Sequence, residues 1–93
     1  MIVGLLTLDL HIPEANSLKS KRMVIKSLID RIKNKFNVSV AEVDANNLWQ
    51  RSVIGIALVA NETQFINKVF EKIKNTVSNT HSVELIDSTM ELL

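Results

Sequence analysis

The segment LKSKRMVIKSLIDRIKNKF, Leu18–Phe36, decides how the rest of the 93-residue chain is read. At 100° per residue, Leu18, Ile25, Leu28, Ile29, Ile32 and Phe36 lie within about 100° of one another, the apolar stripe of a helix packed on a core. Lys19, Arg22, Lys26 and Lys33 follow one flank of that stripe, and Arg31 and Lys35 the other. The first turn carries Lys19, Lys21 and Arg22 and no acid. A helix N-terminus behaves as a partial positive charge, so each cation there opposes the dipole by about 0.3–1 kcal/mol. Positive charge in that position therefore serves something other than helix stability, and a working site is expected at that end.

Outward from the helix, Ile2–Ile12 is rich in aliphatic and β-branched residues and reads as a strand. Leu6, Leu8, Leu10 and Ile12 share one face, uniformly apolar and directed to helices; Val3, Leu5, Thr7, Asp9 and His11 share the other. Pro13 ends the strand, and 13–17 is a loop closing on N-cap residues. Asn37–Asp44 reads as a second strand, 44–51 as a polar connection longer than a tight hairpin, and Ser52–Ala60 as a third strand buried on both faces. Asn61 is placed to cap a second helix with Gln64 completing a capping box; Ile66, Val69, Phe70, Ile73 and Val77 form its stripe. In His81–Leu92 the apolar phase slips after Leu85, as in a strand with a bulge there; a terminal helix is the alternative for its second half.

The order βαββαβ favours an α+β fold of the ferredoxin-like kind: a four-stranded antiparallel sheet, both helices on one face, strands one and three central. Residues 1–93 make one domain. There is no cysteine, which excludes disulfides, thiolate metal sites and thiol catalysis and fits a cytoplasmic chain. Met1–Ile12 has no signal-peptide pattern, and no apolar run reaches the length of a membrane span. Eleven basic against ten acidic residues leave a net charge of +1, so any electrostatic recognition rests on local clustering.

That topology gathers His11, Lys19, Lys21, Arg22, Trp49, Gln50, Arg51 and His81 at one rim. The expected phosphate- or RNA-binding set is Lys19, Lys21, Arg22, Lys26, Trp49, Gln50 and Arg51, with helix N–H groups beside it. Asp9, Glu42 and Asp44 reach the same strand ends, where ordinary ion pairs with Lys21, Arg22 and Arg51 are the competing arrangement. Trp49 either stacks on a base or folds down over the core. His11 with Asp9 or Glu42 would be the only acid–base couple; no metal-ligand spacing, P-loop or nucleophile elbow occurs, so no enzyme activity, metal or cofactor is expected. The central strands lack the aromatic platform of an RNA-recognition sheet. Val3, Leu5, Val53, Ala57 and Val59 instead form an apolar open face, suited to a homodimer interface or to cover by the C-terminal segment.

Leu-Lys-x-Lys-Arg at 18–22, Phe-Asn-Val-Ser-Val-Ala-Glu-Val-Asp at 36–44, Leu-Trp-Gln-Arg at 48–51, His11-Ile12-Pro13 and the opening Met-Ile-Val-Gly resemble the small bacterial YlxP-like proteins, a family of unknown function. The resemblance spans nearly the whole chain and implies a ferredoxin-like fold. Genes of that family often lie near those for translation initiation and ribosome maturation factors, which implies an RNA or ribosomal partner. It carries over no catalytic residue.

Overall fold

A computed structural model describes residues 1–93. Its elements follow the order expected: β1 (Ile2–His11), α1 (Leu18–Lys35), β2 (Ser39–Asp44), β3 (Arg51–Ala60), α2 (Thr63–Ser78) and β4 (Glu84–Leu92). The strands form one antiparallel-paired sheet in the order β2-β3-β1-β4, with the first and third strands in the middle. This is the ferredoxin-like α+β arrangement.

The core lies between the sheet and the two helices. Leu6, Leu8, Leu10 and Ile12 from β1 and its end meet Ile54, Ile56 and Leu58 of β3, Ile25, Leu28 and Ile32 of α1, and Ile66, Phe70, Ile73 and Val77 of α2. Each fully buried aliphatic side chain contributes about 1.5–3 kcal/mol, and the two-residue period of the strands puts all of these on one side. Gly4 is part of that packing. A Cβ built there would lie 2.5 Å from Ile66 Cγ2, so the missing side chain is what lets α2 approach β1.

The slip in phase within the last segment is a bulge. Leu10 pairs with Leu85 and Asp9 with Asp87, leaving Ile86 as the additional residue on β4. The segment is strand throughout its second half. A second irregularity in β2 leaves Val43 between the residues paired with Ile54 and Val53.

Two local expectations are corrected. β3 is buried on one face only: Ser52, Ile54, Ile56 and Leu58 are inside, whereas Val59 is 60% exposed. Both helices sit on one side of the sheet, so the opposite phase of a central strand stays uncovered. The N-cap of α2 is Glu62, not Asn61, and it makes no side-chain capping bond, so the box with Gln64 does not form. At α1 the cap is Ser17, whose hydroxyl accepts from the Ser20 N–H at 3.1 Å.

Candidate nucleic-acid interface

One end of the sheet collects the C-terminus of β1, the start of α1, the end of β2, the start of β3 and the approach to β4. His11 pairs across to Arg51 on one side and to Glu84 on the other. The 45–50 loop is tied to this end from two directions. Gln50 Nε2 donates to the carbonyls of Pro13 (3.2 Å) and Ala15 (3.1 Å). Lys21 Nζ donates to those of Ala45 (2.9 Å) and Asn46 (3.3 Å). Ala45 has a positive φ of 57°, a backbone conformation unfavourable for a residue with a Cβ. It is held by the Lys21 contact and by Asp44 Oδ1, which accepts the Ala45 N–H at 2.7 Å.

Lys21 is the largest correction to the sequence reading. Its side chain is wholly buried, and its ammonium lies 2.7 Å from Glu42 Oε2, which also accepts the Ser52 hydroxyl at 2.6 Å. A buried ammonium must have its charge matched and its donors occupied, and here one carboxylate and two carbonyls do so. Lys21 is therefore removed from the phosphate-binding set. It also accounts for one of the three first-turn cations on structural grounds.

A signal for this network exists in the sequence. Lys21 stands four residues before Ile25 and seven before Leu28, on the stripe that turns inward. Glu42 follows the core-facing Val40 by two, and Ser52 precedes the core-facing Ile54 by two. Three polar residues on three apolar phases at one end of the sheet mark a buried polar cluster.

Arg51 is also paired, but differently. Its Nη2 donates to both carboxylate oxygens of Asp9, at 2.7 and 2.8 Å, on the uncovered face of the sheet, with 48% of the Arg51 side chain exposed. Such a pair is worth about 0–1 kcal/mol and leaves about half of the arginine side chain in water. Gln50 is committed to the loop carbonyls and helps to shape the loop rather than to offer a free amide. Trp49 is 53% exposed beside Leu48 at 54%; it is not a lid on the core. Lys19, Arg22 and Lys26 are exposed on α1 and form no ion pair. The expected set thus shares neither one face nor, for Lys26, one end: Arg51 is on the open-sheet side, Lys19 and Arg22 are on the helical side at the start of α1, and Lys26 lies midway along that helix.

His11 and Glu42 lie on opposite faces of the sheet, since His11 shares the open phase with Asp9 and Glu42 pairs with the buried Ile54. They make no couple. His11 Nδ1 instead lies 3.6 Å from Glu84 Oε1.

The charges divide between the two faces. Ten of the eleven Lys and Arg residues are on α1 and α2, and nine of these are outside the core. The helices hold only two acids, Asp30 and Glu71. Asp9, Asp44, Glu84, Asp87 and Glu91 are placed by register on the open sheet face. A net charge of +1 therefore hides a basic helical layer backed by an acidic sheet face.

Val3, Leu5, Val53, Ala57 and Val59 line the middle of that open face as expected. The C-terminal segment does not fold over them. It forms the edge strand, and Leu93 continues the pairing through bonds with Val3 of 2.8 and 3.1 Å. No helix is long and apolar enough to cross a membrane.

Comparison with known proteins agrees with the resemblance noted from the motifs. The chain is 32% identical over 83 residues to the uncharacterized protein YlxP of Bacillus subtilis (strain 168), covering 89% of this chain and 90% of that protein. Among solved structures, the de novo designed protein LFR1 1 with ferredoxin fold superposes with a TM-score of 0.56 at 10% identity, covering all of this chain and 84% of the design. The REP-associated tyrosine transposase bound to a REP hairpin superposes with a TM-score of 0.52 at 11% identity, covering 98% of this chain and 55% of the transposase. At those identities the likeness is one of fold. Residues 3–90 match the family described as protein of unknown function DUF503, and the chain belongs to that family.

Proposed function

We propose that this domain is a non-enzymatic RNA-binding module, acting on free RNA or on the ribosome, and that Lys19, Arg22 and Lys26 on α1 supply its phosphate contacts. The observation that carries the reading is the segregation of charge: nine cations outside the core against two acids on the helical layer. A surface of one sign attracts a polyanion over a Debye length of about 8–10 Å and orients it before contact. Trp49 stands exposed at the end where α1 begins, as a stacking surface for a base. Cations kept in the first turn against the helix dipole are consistent with selection for an external anion.

RNA binding measured at two salt concentrations tests this. Affinity falls steeply with salt because each phosphate neutralised releases counterions, and Arg22→Ala together with Lys26→Ala lowers both the affinity and the slope. Binding that ignores salt and both substitutions refutes the reading.

A second reading is favoured by a different observation. The open sheet face keeps an apolar middle, with Val59 60% exposed and nothing from the chain lying across it. Contiguous apolar surface of this kind marks an interface, and a second copy packed sheet to sheet would cover it. Light scattering decides the matter: a dimer that Leu5→Lys splits supports it, and a monomeric wild-type protein ends it.

A further inference from the structure

The two helices approach each other above the core they share. Between them runs a groove of about 1010 Å³, and of the ten residues lining it only Met23 is apolar. Neighbouring helices on one sheet face ordinarily interlock through apolar ridges. Here, outside that buried core, the α1 side of the groove carries Lys26, Asp30, Arg31, Asn34 and Lys35, and the other side carries Asn75 and Thr76 of α2 with Asn79 at its C-cap. A site for a small apolar ligand is lined mostly by hydrophobic side chains and encloses most of its occupant. This one is polar and open along its length, the form of a track for a chain rather than a socket for a metabolite.

We infer that the interhelical groove binds single-stranded RNA, with Lys26, Arg31 and Lys35 on the phosphates and Asn34, Asn75 and Asn79 on exposed base edges. The inference rests on the reading of the helical layer as the RNA-binding surface and assigns the strand its path. Arg31 and Lys35 stand one turn apart on the same flank, about 6 Å along α1 at 1.5 Å per residue, so the two meet neighbouring phosphates, while Lys26 lies half a turn round the helix on the opposite rim of the groove. Lys26 belongs both to the flank continued from Lys19 and Arg22 and to the groove, which makes the two surfaces continuous. Arg31 is held in place by donating through Nη1 to Thr80 Oγ1 at 3.0 Å, with the rest of its guanidinium left for a ligand.

The polar groups specify more than a polyanion. The side chains of Asn34, Asn75 and Asn79 make no hydrogen bond to the rest of the chain, and each offers a paired donor and acceptor. Base edges present complementary pairs when a strand is unpaired, and a duplex conceals them. Asp30 lies in the same groove, where a carboxylate repels phosphate and accepts from exocyclic amino groups. At its far end the groove continues to Lys72 and the half-buried Phe36, an aromatic edge against which a base can stack.

The experiment is fluorescence anisotropy with two probes at several salt concentrations: a short unstructured cytidine–uridine RNA and a hairpin duplex of equal charge. Lys35→Ala and Asn75→Ala are compared with Arg22→Ala, all exposed helical positions where alanine favours the helix. The single strand is expected to bind more tightly than the hairpin. Lys35→Ala should lower its salt slope by about 0.7, the single-strand increment per phosphate. Asn75→Ala should weaken the single strand several-fold and leave the slope unchanged. If both groove variants bind like wild type while Arg22→Ala is impaired, the groove is overturned and the RNA-binding reading stands. If neither probe binds, or an acidic peptide of matched charge binds better than either, both fall.

Discussion

Lys21–Glu42 and Arg51–Asp9 are both cation–carboxylate pairs with a closest approach of 2.7 Å at the same end of one sheet, and they have almost nothing else in common. The first lies beneath α1 with the lysine wholly buried, a serine hydroxyl and two loop carbonyls completing its shell. The second lies on the uncovered face with about half of the arginine side chain in water. Distance does not distinguish them; the medium does. Removing one partner of a buried pair strands a charge that water cannot reach, at about 3–5 kcal/mol, whereas water replaces the lost partner of an exposed pair at about 0–1 kcal/mol.

Chemical unfolding puts that contrast to its hardest test. Lys21→Ala should lose about 3–5 kcal/mol, appearing as a lower denaturant midpoint at unchanged slope. A loss below 1 kcal/mol would place Lys21 with the surface pairs. Ser52→Ala comes next. It removes a hydrogen bond to a charged acceptor and should cost about 1.5–3 kcal/mol, with a double-mutant cycle against Glu42→Gln showing strong coupling. On the open face, Asp9→Asn should shift stability by less than about 1 kcal/mol, and less still in high salt. A larger, salt-independent loss would show that the pair is shielded, as by a second copy on that face. The smallest effect has the opposite sign. Lys19→Ala relieves a cation at the N-terminal end of α1 and should stabilise by a few tenths to about 1 kcal/mol while weakening RNA. Gain in stability with loss of binding is the signature of a residue kept for an external anion.

Gly4 provides a control outside electrostatics. Its absent Cβ leaves room for Ile66, and Gly4→Ala should cost about 1–3 kcal/mol through overpacking without changing the salt dependence of any binding.

Much of this architecture is legible in the chain because local periodicity and topology are strongly coupled. Alternation in Ile2–Ile12 fixes which side of β1 is inside, and the slip after Leu85 is visible as a phase change before any coordinates are consulted. The site is less legible. First-turn cations look alike in a sequence, and the distinction between Lys21, which turns under the helix, and Arg22, which faces water, is one step of 100°. The cue that does exist, Lys21 in phase with Ile25 and Leu28, is outweighed by the habit of reading lysine as surface. Asn61 and Gln64 have the composition of a capping box and do not form one, because the helix begins one residue later. The polar seam between α1 and α2 has no signature in either segment alone. Lys26, Asp30 and Asn34 read as an ordinary solvated stripe until Asn75 and Asn79 are set opposite them.

The sequence by itself determined the elements, their order, the sheet and the inward faces of β1 and of both helices, since burial of apolar side chains depends on a repeat of 2 or 3.6 residues that any reader of the chain can count. The tertiary structure alone decided which charges are spent inside and which remain for a partner. That follows from the range of the interaction: Lys21–Glu42 and Arg51–Asp9 join residues far apart in the chain that come within about 4 Å only in the fold, and whether such a pair matters depends on how much water is left around it.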